Sequence, residues 1–365
     1  AADMLRTEDR PDPIQRTAFI DQFSDWNDQL DGIARTVRET RDVSLISGIC
    51  LAVGRIPAEE LTEGELLVWQ SLLGELFVEH PSAGVHSAAG WALKAWEFER
   101  PSKAAEAPQQ DTFDWQVTDE GLTLLRIRPG EWFSTTTAGQ PIDSRIEEEF
   151  LIGDCEISVE LFRRFMDDDR YQGEKPVNWP GENQDVSPTA SHPVQQVNWH
   201  EAVMFCNWLS SRDGRDACYL RANDGKNDWH WVEDANGYHL PSDAQWELAC
   251  RAGSQTRFAC GDDDSFLDQY AVFRNEDHAD PCGTRLCNAW GLFDMHGNVW
   301  EWVGVYSPII ADAAVAEGKR VAPSMKALRG GSRGGTATHV QSDSRSWHQP
   351  NHRSLALGFR VARRP

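Results

Sequence analysis

Gly291-Leu-Phe-Asp-Met-His-Gly-Asn-Val-Trp-Glu-Trp302 decides how the second half of this chain folds. Trp300 and Trp302 sit two residues apart, so on a strand they share one face while Glu301 points to the other. Two indoles require a packed layer, and a carboxylate so placed requires a partner, either a cation or an arginine. Upstream, Leu240-Pro-Ser-Asp-Ala-Gln-Trp246 opens a helix: Ser242 is the N-cap, Gln245 reaches back to it, and Trp246 faces the core. Downstream, Arg329-Gly-Gly-Ser332 and Gly358-Phe-Arg-Val361 frame a segment with no cysteine and neither helical nor strand periodicity. Such a segment reads as a displayed surface.

Composition narrows the function classes. A net charge of -23 repels a phosphate backbone, and no lysine/arginine run interleaves with aromatics, which argues against nucleic acid as a partner. No run of eighteen apolar residues and no charged-then-apolar leader occurs, which argues against a membrane partner and against export, and points to the cytoplasm. The chain opens Ala1-Ala-Asp without methionine, the expectation for a piece of a longer protein. Charge is uneven: Lys326 and seven arginines against Asp343 give residues 326–365 a charge of +7, leaving -30 on the rest. Arg329, Arg345 and Arg360 are either structural partners of acidic loops or part of a basic surface. The cysteines lack metal-knuckle spacing; Cys206 and Cys250 lie in apolar helical patterns as buried thiols, and Cys282 and Cys287 either pair or share a loop.

A length of 365 residues suits two domains. Ile33–Arg38, Val43–Val53, Leu66–Phe77 and Val85–Trp96 have helical apolar spacing, with Thr62–Glu65 as a capping box and Ser82 as a cap, so residues 1–105 read as an all-helical domain. Pro101–Asp111 has linker composition, and the linker is placed at 106–118. Residues 119–365 read as an α+β domain with little regular secondary structure: a strand at Leu122–Ile127 and short helices at Val159–Phe165, Trp199–Leu209 and Ala244–Arg251 stand among long Gly, Asn, Asp, Pro and Trp-rich stretches.

Glu156-Ile-Ser-Val-Glu-Leu-Phe-Arg-Arg-Phe165, His192-Pro-Val-Gln-Gln-Val-Asn-Trp199, Tyr238–Glu247, Gly291–Trp302 and the two frames occur in the order that resembles the formylglycine-generating enzyme (sulfatase-modifying factor) family. The resemblance implies a C-type-lectin-like fold whose ligand-facing end is the C-terminal segment 329–361. It also implies a structural calcium site, with the carboxylates of Asp294 and Glu301 and the carbonyl oxygens of Gly297 and Val299 as hard oxygen ligands. A second calcium site of the family has an asparagine where this chain has Val272, and is expected to be lost.

The chain departs from the family at the active centre. Members that oxidise a substrate cysteine bind copper through two cysteines after the Gly-Gly-Ser motif, whereas here Ser332-Arg-Gly-Gly-Thr-Ala-Thr-His-Val340 follows, with Gly335 where the first belongs. Neither glycine nor valine replaces a thiolate on copper(I). Iron-dependent relatives that make sulfoxides need three histidines, mainly from a helical domain, and the helical part offers His80 and His86. The resemblance therefore implies a pseudoenzyme, similar to the variable proteins of diversity-generating retroelements, with a divergent metal-dependent oxidoreductase as the other reading. The expected ligand surface comprises Arg333, Gly335, Thr336, Thr338, His339, Asp343 and Ser344. It continues through Ser346, Trp347, His348, Asn351, His352, Ser354 and Leu355, with Trp347 as aromatic anchor and a protein or other macromolecule as partner. Arg333, His348, His352 and Arg353 would favour an acidic patch on it. The helical part resembles modules that precede this domain in bacterial signalling proteins, and is either an adaptor to a signalling partner or a stabilising cap.

Overall fold

The computed structural model describes residues 13–23, 30–101, 112–135, 141–222, 228–232, 234–304 and 324–365. The chain divides into two compact units: residues 1–116 with 251–270 and 283–293, and residues 117–250 with 271–282 and 294–365. The main boundary, between residues 116 and 117, falls inside the linker expected at 106–118, and two later stretches join the first unit. Residues 106–111 of the expected linker lie outside the described residues, and Trp115–Val117 at its other end is a strand. The reason is local to the first unit: the buried Trp115 ring stacks on His86 at 3.7 Å and its Nε1 donates to the His80 carbonyl at 2.8 Å.

The first unit is built on helices Ile14–Gln22, Asp31–Glu39, Val43–Val53, Glu63–Glu79 and Ala83–Ala95. Val43–Val53 is apolar all round, and every residue from Leu45 to Val53 is buried, as a helix packed on all sides requires. Its first turn is closed by Asp42 Oδ1, which accepts from the Leu45 N–H at 3.0 Å. A Cβ on Gly54 would sit 2.7 Å from that of Ala92, so glycine lets this helix end approach the Ala83–Ala95 helix. The Thr62/Glu65 capping box forms as expected. Ser82 does not cap with its side chain; instead its backbone N–H donates to His80 Nδ1 at 3.1 Å. His86 stacks between Phe77 and Trp115, so both histidines of this unit serve packing and capping.

In the second unit a sheet runs in the order Thr123–Ile127, Phe150–Gly153, Ala362–Arg363, Tyr238–His239, each neighbour antiparallel. Beside it Phe162 and Phe165, from the Val159–Asp167 helix, meet Phe205 and Trp208, from the Trp199–Arg212 helix, and Phe359 from the C-terminal frame. A second sheet has the order Arg345–His348, Lys326–Arg329, Trp300–Trp302, Leu357–Gly358. Its Trp-Glu-Trp strand is antiparallel to Lys326–Arg329 and parallel to Leu357–Gly358. Both frames of the C-terminal segment are thus pinned to one strand. Trp302 is fully buried and donates to the Val197 carbonyl at 2.9 Å. None of the cysteines forms a disulfide, so Cys282 and Cys287 do not pair. Cys206 and Cys250 are buried as expected, and burial pushes the Cys206 thiol well up.

Candidate ligand-binding site

The C-terminal segment is held by arginines that point inward. Arg360, fully buried, donates to Glu301 at 2.6 and 2.7 Å, and Trp246 adds an indole N–H at 2.9 Å. Glu301 therefore has the arginine partner, and its carboxylate turns into a buried layer. Arg329, also fully buried, reaches Asp243 at 2.6 Å and Glu247 at 2.7 Å, while Arg345 contacts the same two acids at 3.1 and 2.5 Å. Burial alone would raise the Asp243 carboxyl, but the two guanidiniums hold it well below the usual carboxylate range. Arg353 is committed to Glu201 and to the Gln196 carbonyl at 2.9 Å. Arg333 is buried and donates to the Leu355 carbonyl at 2.9 Å. Arg333 and Arg353 thus brace the segment where an outward, ligand-facing role was expected.

Side chains alternate along Arg345–His348, so Arg345 and Trp347 share the face turned to Asp243 and Glu247, and Ser346 and His348 the other. Trp347 lies opposite Ala327 and is half-buried there, like Ser346 and His348 beside it. What faces outward is two loops. Thr336, Thr338 and His339 are exposed on the turn before this strand, with Gly335 half-buried beside them. Asn351 and Leu355 are exposed after it, with Asp343, Ser344, Ser346, His348, His352 and Ser354 half-buried between and around. Ser344 Oγ donates to the Thr338 carbonyl at 3.1 Å, and the rings of His348 and His352 stack at 4.1 Å. Burial, then the adjacent His352, lowers the His348 imidazole.

The backbone is tightly packed at Gly335, the position expected to match the first copper-binding cysteine. The Gly335 N–H donates to Ser332 at 2.8 Å, and a Cβ there would meet the Ser332 carbonyl at 3.0 Å and His339 at 3.2 Å. Val340 is buried, its carbonyl 2.7 Å from His296 Nδ1. The calcium set fits less well than expected. Asp294, Gly297, Val299 and Glu301 are all buried in one turn-and-strand, and a Cβ on Gly297 (φ 89°) would lie 2.0 Å from the Val272 carbonyl. Glu301, however, gives both oxygens to Arg360 and Trp246. Nearby Glu156 is buried beside Asp294 and Glu301, and burial followed by these two acids pushes its carboxyl well up.

Sequence reasoning missed a cleft of about 730 Å³ beside the second loop. Lys326 and Gln349 line it with His200 from the first turn of the Trp199–Arg212 helix. These side chains are scattered through the chain, and only the register that sets Lys326 opposite His348 brings them to one place.

A family model described as the sulfatase-modifying factor enzyme 1-like domain matches residues 109–365. The formylglycine-generating enzyme of Mycobacterium tuberculosis is 28% identical over 33% of this chain and 36% of its own length. The chaperone protein LppX of Paenibacillus barcinonensis is 26% identical over 49% of this chain and 70% of its own. The chain thus spans little more than a third of that bacterial enzyme. Among solved structures, Treponema denticola variable protein 1 superposes with a TM-score of 0.53 at 25% identity, covering 67% of this chain and 95% of that one. Helices followed by an α+β, formylglycine-generating-enzyme-like domain are what the fold, the motifs and these matches have in common; the chain belongs to the sulfatase-modifying factor enzyme 1-like domain family.

Proposed function

We propose that this chain is a non-catalytic recognition module that presents the outward side chains between Thr336 and Leu355 to a protein or other macromolecular ligand. The observation that carries the reading is the cysteine-free stretch Ser332–Val340, with Gly335 where the resemblance places the first copper-binding thiolate, within otherwise intact frames. The likeness to a variable protein supports it. Short polar side chains on a rigid scaffold adapt their hydrogen bonds at low entropy cost, and a standard interface of roughly 800 Å² per partner is within reach of two such loops. Diversification of the segment by a retroelement is part of the proposal; a locus with neither a reverse transcriptase gene nor a near-repeat of the segment's coding sequence would remove that part. The helical unit is assigned to a signalling partner.

Two assays test the reading. Copper-loaded protein incubated with a cysteine-containing sulfatase-type peptide should yield no aldehyde by mass spectrometry, and an aldehyde product would restore the oxidoreductase. A peptide ligand selected from a random library should lose at least about tenfold in affinity, the worth of one or two good contacts, when Thr338, His339, Asn351 and Leu355 are replaced by alanine. Unchanged affinity would remove the segment from the site.

A further inference from the structure

The cleft beside the second loop carries one more cation than anion: Lys175, Arg221, Lys326 and Arg353 against Glu174, Glu201 and Asp228. Its acids are largely matched: Glu174 holds Arg221 at 2.6 and 2.9 Å, and Glu201 holds Arg353 at 2.6 Å. Asp228 is exposed at the rim and accepts from the neighbouring Trp229 N–H at 2.8 Å. Lys326 is different. Its ammonium lies 4.0 Å from the Trp199 ring centre, and among the described residues no carboxylate comes within ion-pair distance of it. Cation–π contact fixes the amine without neutralising it. His200 lies on the same wall, and its Nδ1 is buried with no hydrogen-bond partner. A buried ring nitrogen left unmatched costs free energy, so a partner supplied from outside would be favoured. The positive end of the Trp199–Arg212 helix adds to the same potential.

We propose that this cleft receives a carboxylate of the bound ligand, with Lys326 Nζ as its counter-ion and His200 Nδ1, in the tautomer protonated there, as its hydrogen-bond donor. The inference deepens the recognition reading and rests on it. A carboxylate fits better than a phosphate because one ammonium and one imidazole N–H match two oxygens and a single charge, while the cleft's forked donors, Arg221 and Arg353, are already engaged. Burial lowers the Lys326 ammonium against the attraction of Asp228, and burial followed by Arg221 lowers the His200 ring, which favours its neutral form. The volume, about 730 Å³, lies within the range of roughly 300–1,000 Å³ typical of small-ligand sites and admits a side chain with its backbone.

The sequence makes the test clean, because the chain has six lysines. Reductive methylation with 13C-formaldehyde keeps each charge and gives one dimethyl signal per lysine, and Lys326→Arg identifies the one that matters. Titration with N-acetyl-L-glutamate should move the Lys326 signal saturably in the millimolar range, shift Lys175 less, since it lines the same cleft but gives its ammonium to the Met166 and Asp168 carbonyls, and leave the remaining lysines in place; His200→Ala should weaken the Lys326 response about tenfold, as loss of a hydrogen bond to a charged group predicts. A Lys326 signal that does not saturate, an undiminished response in His200→Ala, or saturation by inorganic phosphate in place of N-acetyl-L-glutamate would each overturn the assignment. Failure here is distinct from failure of the recognition reading: a silent Lys326 leaves the effect of the loop substitutions on a selected peptide intact, whereas aldehyde formation would sink recognition without moving the Lys326 signal.

Discussion

The inner and outer faces of the C-terminal segment are made of opposite materials. Inside, Arg329, Arg345 and Arg360 close on Asp243, Glu247 and Glu301, and Arg353 closes on Glu201. Outside stand Thr336, Thr338, His339, Asn351 and Leu355, exposed side chains of which the first three hydrogen-bond only within their own turn. The difference teaches that a segment carrying +7 in sequence need not display it. Its charge is spent on fixing a backbone, and what that backbone presents is short and nearly neutral. Two of the segment's cations line the cleft, Arg353, which Glu201 engages, and Lys326, which lies ahead of the frame and not in the loops.

Removing a strut should have the largest effect. Arg360→Ala leaves Glu301 buried with only the Trp246 indole, and stability measured by denaturant should fall by about 3–5 kcal/mol. Arg329→Ala should cost somewhat less, since Arg345 still contacts both acids. Acid should undo the same network. The folded Asp243 carboxyl titrates below its unfolded counterpart, so its stabilisation is complete above about pH 4 and is lost as pH falls through the folded value; Asp243→Asn should flatten that acid slope. Glu156 has the opposite sign. Its folded carboxyl titrates above the unfolded one, so it costs stability as pH rises from about 4. Glu156→Gln keeps the acceptor that Asn298 uses at 3.1 Å, and should gain on the wild type steadily between pH 4 and pH 8. Against these, Thr338→Ala and Asn351→Ala should each change stability by no more than about 0.5 kcal/mol. Smallest of all, a calcium chelator should leave the thermal midpoint in place, because Glu301 is held by Arg360; a fall of several degrees would show that Glu301 exchanges partners.

Local chemistry was legible in the sequence and distant chemistry was not. The Thr62/Glu65 box and the Ser242/Gln245 pair form as expected because each is decided within four residues. The frames were legible because Phe359 and Arg360 belong to motifs that fix a core ring and a buried pair. Ser82 makes no side-chain cap, and its own N–H donates to His80 Nδ1. Arg333 was misjudged because its acceptor, the Leu355 carbonyl, is set by the return of the loop. The face that Trp347 takes was not legible because it depends on register against Ala327. The interleaving of 251–270 and 283–293 with the helical unit had no sequence signal, since those stretches read as loops of the second half.

A single library measurement tests the central contrast most directly. Randomise Thr336, Thr338, His339, Asn351 and Leu355 together in one pool and Arg329, Arg345 and Arg360 in another, and score folding of each variant by protease resistance. If the outer face is free and the inner face is the fold, most variants of the first pool keep wild-type resistance and nearly all of the second lose it. Equal loss in both pools would mean that the outward residues are part of the structure and would contradict the account.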